Sequence, residues 1–276
     1  MKGQIFARVL RFFQKYAPSI TLAVGVLVFW EVVVTVFAIQ QFLLPKPSAI
    51  LTEYLNELRL FLDPAGASLL FEASGATLRE AIGGFVIGCG SGIGIALLTA
   101  RWTAVNQALM PFAIAANSVP IIAFAPIMNN WFGITNPFSK MAIVSIIVFF
   151  PTMINTVRGL TLIDPNQLEL MHSYAASPMR IMRDLRIPNA LPYIFSALRI
   201  ASSLSVVGAI VGEFFGGPLW ATLGDFITQE ASRFNFARAW SAIIMASLIG
   251  LSMYFVVLAL ERWLMPWHVS FRTDSS

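Results

Sequence analysis

Six stretches of this chain are each apolar over about 20 residues, enough to cross a hydrocarbon layer roughly 30 Å thick, and this feature governs what the chain can fold into. In hydrocarbon every backbone N–H and C=O must find its partner inside the protein, which leaves helices or closed barrels. The stretches are continuous apolar runs rather than alternating strands, so a barrel is excluded and an all-α membrane protein with six transmembrane helices is expected. The spans cover residues 20–39, 81–100, 107–128, 141–157, 193–211 and 239–260. The third carries Pro111, Pro120 and Pro126, which predict kinks, and the fifth carries Arg199. Composition agrees: 57% of the 276 residues are hydrophobic and 12% charged, against about 45–50% and about 25% in soluble domains. A water-soluble globule and a disordered chain are both excluded.

Placing the N-terminus inside puts eleven of the 18 basic residues in the cytoplasm, among them Lys2, Arg8, Arg101, Arg158, Arg180, Arg262 and Arg272. Six fall outside, including Lys46, Lys140 and Arg238, so both termini are expected in the cytoplasm. The basic residues form no patch with interleaved aromatics, so nucleic acid is not expected as a partner. The expected organisation is an interfacial N-terminal helix over 1–17, a first span with its outer loop over 18–76, a core over 77–262 and a cytoplasmic tail over 263–276. A cleaved signal peptide is the competing reading of the N-terminus, but the apolar run is long enough to span and no small-x-small site closes it.

A membrane protein of this size could be a channel, a secondary transporter, a membrane enzyme or the pore of a machine powered elsewhere, and the energy source discriminates among them. No lysine stands in a phosphate-cradling G-x-x-x-x-G-K-[ST] context, so the chain is not expected to hydrolyse ATP. Gly84, Gly88 and Gly92, four apart inside a span, read as a small-residue ridge where another helix approaches closely. The one cysteine, Cys89, permits no intrachain disulfide, and His172 and His268 have no catalytic or metal constellation beside them.

The longest cytoplasmic loop, 158–192, carries the most information. Asp164-Pro165-Asn166-Gln167 combines an N-cap acid with proline at the first helical position, and Ser177-Pro178 repeats the signal. Two short helices are expected, the second ended by Pro188. Leu168, Met171 and Ala175 share a face of the first. On these residues alone, a helical hairpin packed on the membrane surface remains open.

The run from Glu169 through Ala175, followed by Leu185-Arg186-Ile187-Pro188, resembles the E-A-A-x-x-x-G loop of ABC importer permeases. Leu44-Pro45-Lys46-Pro47-Ser48, Val119-Pro120 through Pro126, Trp131-Phe132-Gly133 and Gly212-Glu213-Phe214-Phe215-Gly216 resemble elements of the nitrate, sulfonate and taurine branch. The chain departs from the pattern where Leu170 and Met171 replace two alanines and Ala175 replaces the loop glycine. Alanine there costs little if the bend stays right-handed and more if it needs φ > 0.

The resemblance implies a type I ABC importer permease fold. It also implies a partnership with a second permease copy, a dimer of ABC ATPase subunits that use ATP and Mg, and an extracytoplasmic solute-binding protein in a bacterial inner membrane. The chain itself would hold no cofactor or metal. The loop would dock into the ATPase through Asp164, Leu168, Glu169, Met171, His172, Ala175, Ala176 and Arg180, with Glu169 as the polar contact and Leu168, Met171 and Ala175 as the apolar insert.

For the translocation pathway the candidates are Asn117, Ser118 and Pro120 at the kink, with Asn155, Ser202 and Glu213. The serines and Asn155 read equally as interhelical hydrogen-bond partners. Glu31, beside Trp30 in the first span, is either paired within the assembly or a proton-coupling group. The second role would make the chain a self-contained ion-coupled transporter. Arg199 either pairs with a carboxylate, reaches the headgroups or touches the substrate. Asn129-Asn130-Trp131-Phe132-Gly133 and Met265-Pro266-Trp267-His268 resemble permeases for riboflavin or hydroxymethylpyrimidine, and no arginine cluster in a span suits a strong anion.

Overall fold

The computed structural model describes residues 2–64, 66–100, 102–216 and 222–266. The side chains of 2–16, 103–107 and 109–110 are outside that description, as are Arg101, Arg272, His268 and the tail beyond Pro266. The described residues are helical, with no strand. In order they form α1 (Lys2–Val36), α2 (Pro47–Leu62), α3 (Leu69–Thr99), α4 (Thr103–Asn117), a 3-10 turn (Ile121–Phe124), α5 (Ala125–Phe132) and α6 (Pro137–Thr161). There follow α7 (Pro165–Ser173), α8 (Pro178–Ile181), a π turn (Met182–Arg186), α9 (Ile187–Glu213), α10 (Leu223–Ser232) and α11 (Phe236–Leu264).

Among the described residues five helical segments are long and apolar enough to cross a membrane, and the pair Pro111–Asn117 and Ile121–Phe132, bent by 77°, is either a broken sixth span or a re-entrant loop. Two expectations about prolines are overturned. The third apolar stretch is broken rather than kinked: Pro120 contributes no N–H at the turn, and Pro126 sits in the first turn of α5, where a missing N–H costs nothing. Pro188 does not end a helix. The wider π turn before it relieves the clash a proline ring makes with the carbonyl four residues back, and the helix runs on from Pro178 to Glu213. The outer segment expected before the second span contains α2 and the first turns of α3.

Contacts divide the chain into two compact units, Met1–Ser68 with Ile227–Ala242 and Leu69–Phe226 with Ile243–Ser276. In the first unit, Glu31 of α1 receives the Ser48 amide at 3.1 Å and the Ser48 hydroxyl at 2.8 Å. A carboxylate thus meets an orphan amide at the N-terminus of α2, the end of a helix that favours negative charge. Trp30 packs edge-on against Trp240, ring centroids 5.3 Å apart. Arg238 pairs with Glu57 and, at 3.1 Å, with Glu230, while the Ser68 hydroxyl donates to Glu57 at 2.6 Å.

In the second unit α6 lies between α3 and α9 at the centre of the core. The glycine ridge of α3 does what its spacing predicts. A Cβ on Gly84 would meet Met141 O at 2.7 Å, one on Gly88 would meet Ser145 Cα at 2.7 Å, and one on Gly92 would meet Phe149 O at 2.8 Å. Gly208 and Gly212 give α9 a similar approach to α6 from Val144 to Lys140. Arg199 of α9 pairs with Glu261 of α11 at 3.3 Å, which is the carboxylate pairing among its expected roles.

Candidate functional site

The loop between α6 and α9 is built by its own sequence signals. Asp164 caps α7, its Oδ1 accepting the Asn166 amide at 2.9 Å, with Pro165 at the first helical position. Ser177 accepts the Arg180 amide at 3.4 Å at the start of α8. Between them α7 closes with the Ala175 amide on His172 O at 2.9 Å and the Ala176 amide on Met171 O at 3.0 Å. These two bonds form a Schellman motif, whose left-handed position is usually glycine. Ala175 occupies it with φ +51. The bend therefore lies in the conformation where a Cβ is costly, about 1–2 kcal/mol. Ala175→Gly is expected to stabilise the purified protein by about 1 kcal/mol, read from thermal unfolding in detergent. A lowered melting temperature would contradict it.

The loop's stems are tied to three helices by contacts that no local signal announces. Asn189 Nδ2 donates to Gly159 O and Leu162 O, both at 2.8 Å, closing the C-terminal carbonyls of α6 onto α9. Arg186 donates to Ala100 O at 3.3 Å, just past the end of α3. Gly159 lets α9 approach closely, since a Cβ there would stand 2.7 Å from Ala190 Cα.

On the loop itself Leu168, Met171 and Ala176 are half-buried against the chain, whereas Glu169, His172, Ala175 and Arg180 are exposed. The large apolar side chains that face outward include Leu170, Tyr174 and Met179, at 55%, 75% and 69% exposure, with Leu162 at 60% beside the end of α6. Of the face that helical spacing identified, Leu168 and Met171 are half-buried and Ala175 is exposed, a division the spacing did not show.

The pathway candidates separate. A cavity of about 380 Å³ opens at the break between α4 and α5, lined by Ser91 of α3, Ala116 of α4, Phe124 of the 3-10 turn and Ser145, Phe149 and Phe150 of α6, together with Val119, Ile121 and Ile146. Asn117, Ser118 and Pro120 sit at the same break, outside this lining, and Ser118 turns back to donate to Ile114 O. Asn155 donates to Pro151 O on its own helix, and Ser202, fully buried, donates to Arg199 O.

Glu213 is also buried, in the second unit. Its Oε2 accepts the Gly224 amide at 2.7 Å while Thr77 accepts the Leu223 amide at 3.0 Å, so side chains of α9 and α3 together cap α10. Among the described residues, Oε1 of Glu213 and Oε2 of the neighbouring Glu80 find no hydrogen-bond donor. Asn129, in the segment before Gly133, donates to Phe215 O at 3.1 Å, and Gly133 ends α5 with φ +94. Among the described residues no three His, Cys, Asp or Glu side chains are grouped to hold a metal.

Residues 63–266 match the family of binding-protein-dependent transport system inner membrane components. The chain belongs to this family. It is 31% identical to a riboflavin transport system permease protein of Chloroflexus aurantiacus, over 88% of this chain and 87% of the other. With a formylaminopyrimidine transport permease protein of Halalkalibacterium halodurans it shares 30% identity over 93% and 98%. A taurine transport system permease protein of Escherichia coli shares 25% over 96% of each chain. A solved bacterial ABC transporter for import of the acidic polysaccharide alginate superposes with a TM-score of 0.54 at 14% identity, covering 92% of this chain and 98% of that one. The fold is that of an ABC importer permease, and the chain is an inner-membrane permease component of such an importer.

Proposed function

We propose that this permease carries a flat heteroaromatic solute of the riboflavin or pyrimidine-precursor kind into the cytoplasm. In this reading two copies form the path, an external binding protein delivers the solute, and two cytoplasmic ATPase subunits supply energy from ATP and Mg. Both termini then lie in the cytoplasm with loop 158–192. The observation that carries the coupling role is the loop itself: an exposed face on α7 and α8 whose stems are bonded to α3, α6 and α9. A push on that face reaches three spans without first unfolding a hinge.

The docking surface combines Glu169, His172, Ala175 and Arg180 with the outward Leu170, Tyr174 and Met179, a short helix presenting side chains to a groove. Leu168, Met171 and Ala176 support that surface from beneath, and Asp164 caps the helix that carries it. The solute class rests on the two relatives named for riboflavin and formylaminopyrimidine, which match at 31% and 30% identity against 25% for the taurine permease. Glu31, the group a self-contained ion-coupled transporter would need, has both oxygens on Ser48.

Reversing the charge at 169 tests the docking. Burying a misplaced charge in an interface costs several kcal/mol, and each 1.4 kcal/mol is about tenfold in affinity. Glu169→Arg is expected to leave the permease inserted at normal level while solute uptake falls at least about tenfold and the ATPase no longer co-purifies in near-equal ratio. Wild-type uptake by that variant would refute the assignment.

A further inference from the structure

We infer that the cavity at the break between α4 and α5 is a solute site within the membrane, and that it selects an uncharged planar nitrogen heterocycle carrying N–H donors. The inference rests on the proposed function and assigns that function a place and a selecting chemistry. The volume, about 380 Å³, lies in the range of small-molecule pockets, about 300–1,000 Å³.

Its walls choose the ligand's shape. Phe149 and Phe150 stand edge to face, centroids 4.9 Å apart and planes at 82°, with Phe124 contributed by the 3-10 turn. A planar ring entering there can lie against one phenyl face while its rim meets another, the two arrangements aromatic pairs prefer. An aliphatic sulfonate gains neither.

The polar groups choose its charge and its hydrogen bonds. Among the described residues no charged side chain lines the cavity. Its two hydroxyls already donate to carbonyls of their own helices, Ser91 to Gly88 O at 3.0 Å and Ser145 to Ala142 O at 2.8 Å. A serine hydroxyl has one hydrogen and two lone pairs, so each has acceptor capacity to offer and no donor. Oxyanions require cations or several donors to replace their water. A ring imide or exocyclic amine matches acceptors.

Position fits transport as well. The lining comes from α3, α6 and the broken stretch, and α3 and α6 are bonded to the loop stems through Ala100 and Gly159. Movement of the loop therefore reaches the walls of the cavity.

The test uses the complete importer, with its ATPase and binding protein, in liposomes, and measures uptake of riboflavin, 3-methylriboflavin, an aminopyrimidine (4-amino-5-hydroxymethyl-2-methylpyrimidine) and taurine. Phe149→Ala is expected to raise the KM for both rings about tenfold, on the scale of 1.4 kcal/mol per tenfold. Ser145→Ala is expected to raise the KM for riboflavin severalfold while leaving that for 3-methylriboflavin, which lacks the imide N–H, unchanged. Ala116→Phe, which fills the cavity, is expected to abolish uptake while ATPase assembly persists; should it fail to assemble, the other two variants decide. If the wild-type importer carries neither ring, the solute reading itself fails. If it carries a ring and both Phe149→Ala and Ser145→Ala retain wild-type KM values, the site is wrong and the solute reading stands.

Discussion

Replacing Arg238 with alanine is expected to destabilise the permease by about 3–5 kcal/mol, the loss that follows removal of one partner from a buried ion pair. Arg238 stands between two carboxylates almost out of contact with solvent, Glu57 at 2% and Glu230 at 1% exposure. Its Nε donates to Glu57 Oε1 at 3.1 Å and its Nη1 to Glu230 Oε1 at 3.1 Å, so one planar guanidinium serves α2 and α10 from the first turn of α11. Without it two like charges are left buried near one another. Arg238→Lys keeps the charge but loses the fork, and is expected to fall between wild type and alanine. If the penalty comes from the carboxylates rather than from lost packing, Arg238→Met with Glu57→Gln and Glu230→Gln recovers most of it. Unfolding midpoints in detergent measure all three. An alanine variant within about 1 kcal/mol of wild type would show that solvent reaches these carboxylates.

That triad was invisible in the sequence, where Glu57 and Arg238 are 181 positions apart. Hydropathy finds spans because the bilayer forces apolar length, and the central spans were legible on that basis. Features written in local chemistry were legible too: the caps Asp164 and Ser177 act where their spacing placed them, and the glycines four apart on α3 meet α6. Directions were harder. Three prolines in one apolar stretch specify a disturbance, but whether the chain kinks or turns by 77° depends on what the two halves pack against. Pro188 follows the helix-ending rule only if the turn before it is α-helical, and here that turn is π. The candidate site divides along the same line. The loop was found by its caps and its resemblance, while the inward turn of Leu168 and Met171, the Asn189 clasp on α6 and the phenyl-walled cavity arise from tertiary packing.

The glycines of α3 allow a sharper experiment, because the same substitution on the same helix should change sign with the face it lands on. Gly88→Ala places a Cβ against Ser145 Cα at 2.7 Å, and backbone cannot rotate aside as a side chain can. The two helices must separate, at a cost of about 1–3 kcal/mol for the first methyl and more for Gly88→Leu. Among the described residues, Gly90 and Gly94 have nothing within 4 Å of the corresponding position. There an alanine only removes the conformational freedom of glycine, so Gly90→Ala is expected to stabilise by about 0.5–1 kcal/mol. The cost at Gly88 is also functional: the residue α6 presents to it, Ser145, lines the cavity, so moving α6 away from α3 widens the pocket between them. Gly88→Ala is therefore expected to lose solute uptake at temperatures where it is still folded, and Gly90→Ala to transport normally. Equal shifts of the same sign at both positions would mean that α3 and α6 are not in contact along this ridge, and the cavity assignment, which depends on that contact, would fall with it.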